Sequence, residues 1–522
     1  MFRSNASVNY KALWRVRLKR LGVAMAVLVG LVVVLLLVER VRGVIGLNHR
    51  VAQLKRQGEK LLVADYEPAR PNPEADAAGA LLTLSNRLQA PASLWKITPP
   101  SGRFTQPGQT IRVTTIASWS YEKQTNTWAD VANVLGQDGS LNADVSTALL
   151  LPGWNDGCNY RNGFIDFQSG PFVIWKNLSQ RLALSALAAL QHNDLGVAVA
   201  RIEDGGRLLK HQANSPLLIS QLVRIAEAAI VWNATWEVVT SGKCSAPQLA
   251  RLQVAWEGMD FTADTARAMA MERNMTLVHY DLIAGSTAKR EKALEDLAQA
   301  AEFGLGSRPP TSGFMLRRVH MPTWQFAWAR QDELRSLNRW QSVIAFDREA
   351  RSNSWSSVSH RVGDIDDEIG VITAALANED GPKMNFYDRM RYLFSGMTFS
   401  IGSHTTRKAM QIETQRRMMV GAIALERWKS SHGKYPSSLG DVVPEFLSAV
   451  PIDLMDNQPL RIKLTADGRC LIYSVGENGR DDSGSVEPID ATPGYKKIWD
   501  GKDAVWPEPA SDEVSEKAAH AK

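Results

Sequence analysis

Residues 21–38 are eighteen consecutive Leu, Val, Ala, Gly and Met side chains without a single charge. A helix through them is about 27 Å long, close to the ~30 Å thickness of a bilayer's hydrocarbon core. In lipid a lone segment must satisfy its own backbone hydrogen bonds, so this stretch can only be a helix. Val41, Val44 and Ile45 carry the apolar surface past Glu39 and Arg40, whose long side chains reach back to the interface. A cleaved signal peptide is the competing reading. Against it, the run exceeds the usual length of a signal core, and no small-x-small site closes it before Glu39 and Arg40.

Arg15, Arg17, Lys19 and Arg20 stand directly before the run and place the N-terminus in the cytoplasm. The expected partner of residues 21–38 is therefore a lipid bilayer, a bacterial inner membrane with the remaining chain in the periplasm. Charge elsewhere is balanced. Of 60 basic residues, six lie in the first twenty, and the 54 that remain face 55 acidic ones. No basic face of the kind nucleic acid requires is implied, so nucleic acid is not an expected partner. At 522 residues the chain is also longer than one core usually organises.

In chain order, residues 1–20 read as a basic cytoplasmic tail, 21–38 as the transmembrane anchor and 39–90 as a stalk and linker. Residues 44–62 favour helix and are polar, and prolines 68, 71 and 73 interrupt them. Residues 91–400 form a mainly helical body with a short β region near 108–118, where Thr110-Ile-Arg-Val-Thr-Thr-Ile116 alternates. Leu182, Leu184, Leu187 and Leu190, and then residues 195–209, follow helical spacing across the His192-Asn193-Asp194 break. Ser215-Pro216 reads as the start of a helix that Gly242 ends, and Ser245-Ala-Pro-Gln opens the next. Paired helices with short turns describe α-hairpins of the tetratricopeptide-like, solenoid kind, without a strict repeat. Cys158, Asp166, Phe167 and Gly170, the His192–Asp194 turn and Leu218-Ile-Ser-Gln-Leu-Val-Arg-Ile225 are similar to the helical body of uncharacterised bacterial envelope proteins.

The C-terminal region carries the most specific pattern. A long helix from Thr405 to about Lys429 is followed by His432-Gly-Lys-Tyr-Pro436, Val450-Pro-Ile-Asp453, Gln458-Pro-Leu460, Leu471-Ile-Tyr-Ser-Val-Gly476 and Asn478-Gly-Arg-Asp-Asp482. Gly433 can end the helix in a left-handed conformation and Pro436 prevents its resumption. Strands near 459–462 and 469–475 with a turn at 466–468 complete a small sheet. This series resembles the globular part of type II secretion major pseudopilins. It implies a small α+β domain over residues 401–506, followed by a polar tail at 507–522. In that family the acidic loop holds calcium, which would fall here on Asp481, Asp482 and Asp490 and otherwise on backbone carbonyls. Two features depart from the family. The apolar run lacks a glutamate at its fifth position, and residues 39–404 separate it from the globular region.

Other candidate sites are sparse. Trp324, Phe326 and Trp328 could line a groove or belong to a core. Asp364, Asp366, Asp367 and Glu368 read as a solvated acidic face. Cys158 and Cys244 could pair in an oxidising compartment, leaving Cys470 buried, or all three could remain thiols. No metalloprotease, nucleophile-elbow, phosphate-loop or dinucleotide motif is present. The favoured expectation is a membrane-anchored scaffold or interaction protein tied to secretion or envelope assembly, without a catalytic residue or cofactor. The alternative is a periplasmic enzyme or enzyme accessory with a cleft between body and cap.

Overall fold

The computed structural model describes residues 10–88, 103–106, 109–111, 135–136, 140–165, 170–302, 313–365, 385–395, 403–466, 468–489 and 498–507. The protein is mainly helical, with a small antiparallel three-stranded sheet. Helix α1, Tyr10–Arg56, runs unbroken for 47 residues, about 70 Å. Among the described residues it is the one helix long and apolar enough to cross a membrane.

Beyond residue 38 this helix changes character. Glu39, Gly43, Leu47 and Leu54 are buried, a spacing that keeps them on one face. The stalk expected over 44–62 is therefore no free spacer: Leu47, Leu54 and Leu61 pack on Leu337 of the body. Polar contacts fix the register. Gln331 Nε2 donates to Glu39 Oε2 at 2.7 Å. Arg273, fully buried, pairs with Glu59 at 2.7 Å, and Arg348 joins the same carboxylate at 2.9 Å.

Local chemistry explains most helix boundaries. Helix α2, Ala77–Thr83, is capped by Asp76 and packs on α3, Leu141–Leu149. Three further helices follow: α4, Phe172–Gln191; α5, Leu195–Gln212, capped by Asp194; and α6, Leu218–Thr240, which Gly242 (φ +66°) closes. Each of these three contacts the other two. Helix α7, Ala246–Trp256, starts with Ser245 and Gln248 in reciprocal capping bonds. The start of α6 differs from the sequence reading, because Ser215 donates its hydroxyl to Asp156. The buried carboxylate of Glu272 accepts the Leu218 N–H instead, at 2.8 Å. Glu272 belongs to α8, Phe261–Gly285, which leads into α9, Thr287–Glu302. Helix α10, Ala329–Ser352, packs against α1 and α8. In the β region a hairpin of β1, Arg103–Gln106, and β2, Gln109–Ile111, is described; residues 112–118 lie outside the described set.

After the short helix α11, Phe386–Arg391, comes α12, Ser403–His432. Gly433 (φ +72°) ends it, as its sequence requires. Strands β3, Arg461–Leu464, β4, Cys470–Ser474, and β5, Ala504–Trp506, follow in the order β3-β4-β5, with Arg461 opposite Tyr473 and Ile472 opposite Trp506. Asp453 joins the Pro-x-Asp segment to β4, accepting from Ser474 Oγ and from the N–H of Val475 and Met455.

Helix α12 also touches α6, α7, α8 and α10. A single apolar cluster reaches from Val199 through Trp232 and Trp256 to Ile423, Ile472 and Trp506, so no core boundary falls near residue 400. Glu413, 1% exposed, sits in this junction. It accepts from Arg416, whose guanidinium also donates to the Trp256 carbonyl, and from Arg417, which also donates to the Ile452 carbonyl. Glu413→Gln is expected to destabilise the protein by about 2–4 kcal/mol, somewhat below a fully buried pair because Arg417 stays partly exposed. Thermal unfolding in detergent should show one transition, moved down as a whole. A sheet that melts separately from the helices would contradict the shared core.

Candidate functional site

A concavity rich in arginine lies where α1 emerges from its apolar run. Gly43 allows the close approach there: a Cβ at this position would stand 2.7 Å from Gln331 Cγ. Beside this crossing is a cavity of about 420 Å³, lined by Arg42 and Gly46 of α1, by Gln331, Arg335 and Arg339 of α10, and by Arg391 and Tyr392. On α10 the lining positions 331, 335, 338 and 339 share one helix face.

Its electrostatics are cationic. Four guanidiniums line the cavity and, among the described residues, no carboxylate does. The nearest acids are Glu39, 3.8 Å from Arg42 and 4.0 Å from Arg391, and Asp388, 3.8 Å from Arg391. Arg335 and Arg391 both lie over the Tyr392 ring, at 4.3 and 4.7 Å, which spreads their charge over an aromatic face. Burial raises the Tyr392 phenol despite both cations. Two buried polar atoms of the lining have no hydrogen-bond partner: Arg391 Nε, a donor, and Gln331 Oε1, an acceptor.

The far wall is held by Asp332. Its fully buried carboxylate accepts from the N–H groups of Phe394 and Ser395 and from Trp324 Nε1, at 2.9, 3.0 and 3.0 Å. His320 Nε2 meets the Met390 carbonyl at 2.7 Å on the same segment. Pro322 interrupts the helix that carries these groups, and wider π-helical turns flank it at Leu316–His320 and Trp324–Trp328.

The expected groove at Trp324, Phe326 and Trp328 takes a different form. Trp324 and Trp328 are core residues, while Phe326 faces outward beneath Arg40, whose guanidinium donates to the Phe326 carbonyl. The described carboxylates of the acidic loop are engaged by other side chains. Asp481 binds Arg461 at 3.0 Å and accepts from Tyr473, and Asp482 accepts from Asn478. Buried Asp503 takes the loop's backbone donors at Asp482, Gly484 and Ser485. Asp490 lies outside the described residues, as do Asp366, Asp367 and Glu368. Among the described residues no three metal-ligating side chains gather. Cys158 and Cys244 are not joined: Cys158 packs with Val63, Leu217 and Met271, whereas Cys244 borders the cluster that holds Cys470. Burial pushes these thiols up to about 12, 11 and 12 for Cys158, Cys244 and Cys470, so none is a ready thiolate.

Other shifted groups are dispersed. His279 is driven down to about 4 by burial and stays neutral. Glu333, raised to about 7 by burial, pairs with Arg330. Glu227, fully buried with Ser179 and Gln212 beside it and no hydrogen bond to either oxygen, rises to about 8. None of these three groups lines the cavity beside α1, whose guanidiniums suit an anion.

The pocket arginines were not singled out by the sequence pattern. The available signal was the i, i+4 pair Arg335 and Arg339 on the face of Gln331. No family model, curated protein or solved structure matches the chain.

Two measurements follow from this geometry. Asp332→Ala leaves three buried donors without an acceptor and is expected to cost about 3 kcal/mol or more, read by denaturation in detergent. Glu227 keeps a proton in the folded state that the unfolded chain loses above its ordinary 4.5. Its contribution is complete below pH 4.5 and falls as pH rises to about 8. Glu227→Gln should therefore melt above the wild type at pH values beyond 8 and together with it near pH 5.

Proposed function

We propose that the chain is a single-pass, membrane-anchored extracytoplasmic scaffold or interaction protein of the bacterial inner membrane, serving secretion or envelope assembly. The observation that carries this reading is the continuity of α1. One helix leads from the exposed apolar run into the body and is locked there by Glu39, Gln331, Glu59 and Arg273. The body would thus stand at a fixed height on the bilayer, as a platform for partners requires. Positive charge before the span favours a cytoplasmic N-terminus.

The order of α12, the Gly433 turn, the Pro-x-Asp segment and the small antiparallel sheet is compatible with a pseudopilin-like module. Because α12 fills the core of the body, that module would serve as a fixed part and not as a subunit released into a fibre. Solenoid-like hairpins among α4 to α7 fit a binding surface. The enzyme alternative has less support, since the perturbed acids are scattered.

The full-length protein is expected to resist alkaline carbonate extraction, and protease added to spheroplasts should digest its C-terminal region. Photocrosslinkers at the exposed positions Leu464 and Ile489 should yield adducts with envelope proteins in intact cells. Release by carbonate, or protection of the C-terminal region, would overturn the anchor and its orientation. Absence of adducts from both positions would remove the partner role from this face.

A further inference from the structure

The cationic cavity lies at a defined depth. Arg42 and Gly46 stand four and eight residues beyond Val38, about 6–12 Å along α1 from the end of the apolar run. The headgroup layer of a bilayer occupies the first ~5–8 Å outside the hydrocarbon core. With residues 21–38 across the membrane, Arg42 is level with lipid phosphates.

The body itself reaches that surface. Leu36, inside the apolar run, packs against the cluster of Trp324 and Trp328. The segment that leads into Trp324 and Trp328 exposes Phe314, Met315, Val319 and Phe326, with exposed Arg317 and Arg318, and Phe326 lies beside Arg40 of α1; Phe386 is exposed as well. Apolar and aromatic side chains interleaved with arginine suit the interface between acyl chains and headgroups. Phe386 begins α11, the helix that ends in Arg391 of the cavity.

Among the described residues the lining holds no anion. Arg335 has no carboxylate within ion-pair distance among the described residues, and the acids near Arg42 and Arg391 stand at 3.8–4.0 Å, beyond hydrogen-bonding range. Arg42, Arg335 and Arg391 against Glu39 and Asp388 leave an excess of about one positive charge among these groups. The buried Arg391 Nε–H and the Gln331 Oε1 carbonyl are a donor and an acceptor left open. A phosphodiester supplies oxygen acceptors for planar guanidinium forks, and a hydroxyl on its head supplies a donor for Gln331.

We propose that this cavity binds the phosphodiester headgroup of an anionic glycerophospholipid, with Arg42, Arg335 and Arg391 on the phosphate. A zwitterionic headgroup would place its ammonium among these cations and is disfavoured. Free phosphate shares the chemistry but not the flanking apolar surface, so the lipid is the assigned source. The assignment rests on the membrane-anchored reading above.

The test uses full-length protein in mild detergent and native mass spectrometry. Phosphatidylglycerol and phosphatidylcholine of identical acyl chains are added in turn to the wild type and to the Arg42→Gln/Arg335→Gln variant. The wild type should retain one phosphatidylglycerol in preference to phosphatidylcholine, and the variant should lose that retention about tenfold, a charge-assisted hydrogen bond's worth. Its melting temperature without lipid should fall little, because Arg42 is largely exposed and Arg335→Gln gives up only the contact with the Tyr392 ring. Should the variant melt lower, Arg42→Gln alone, at a side chain 68% exposed, gives the same comparison without disturbing the core. Equal retention of both lipids, or equal retention by wild type and variant, overturns the proposal. Stabilisation of the wild type by millimolar inorganic phosphate without lipid retention overturns the lipid source and assigns the cavity to a soluble phosphate. Carbonate extraction of the same preparations separates the two levels. A protein that stays in the membrane yet shows no lipid preference fails on the cavity alone, whereas one that is extracted fails on the anchor and the lipid source together.

Discussion

A carboxylate with almost no access to water, Glu413, holds the molecule's two halves in one structure. A buried charge is tolerated only where cations and donors surround it. Glu413 has two guanidiniums, and each reaches on to a carbonyl on a different side, Trp256 in the helical body and Ile452 before the sheet. The backbone N–H of Phe261 completes the set. Arg224 with Asp264 and Arg273 with Glu59 repeat the device elsewhere in the body. Such pairs add little net stability over apolar packing, but mispairing them costs several kcal/mol each, so they decide which helices meet.

This explains how far the fold could be read from the chain. Elements with local causes were legible: the apolar run, the Ser245 and Gln248 cap, the Gly242 and Gly433 terminations, and the order of helix, turn and hairpin after residue 405. Elements set by partners far along the chain were not. Residues 44–62 look like a free polar stalk because Leu47, Leu54 and Leu61 find their apolar partner only at Leu337. Ser215 looks like a cap because nothing nearby announces that Asp156 will take its hydroxyl and Glu272 will take its place. A boundary near 400 looks natural because the order of elements after it resembles a self-contained domain, yet Thr406, Gln411, Glu413 and Thr414 of α12 are buried.

The cavity was hidden for the same reason. Its walls come from residues near 42, 335 and 391, and arginines so far apart read as ordinary surface charge. The aromatic group at 324–328 drew attention by composition, but helix geometry turns Trp324 and Trp328 inward and leaves Phe326 outside. In the acidic loop, the pattern of Gly and Asp did not announce that Arg461 would take Asp481 and that Asp503 would take the loop's backbone donors.

The unbroken course of α1 joins the apolar run stiffly to the body, and with that run in a bilayer the stiffness would cross the membrane surface. Most anchored domains hang from a pliable tether and are indifferent to the tilt of their span. The apolar run, at about 27 Å, is slightly shorter than a typical hydrocarbon core, and it shares an axis with the helix gripped by the body. A thicker bilayer would draw Arg40 and Arg42 toward the lipid, and a thinner one would incline the helix. Either change would swing the whole body like an arm on a rigid shaft, so local membrane thickness would set where its outer surface points.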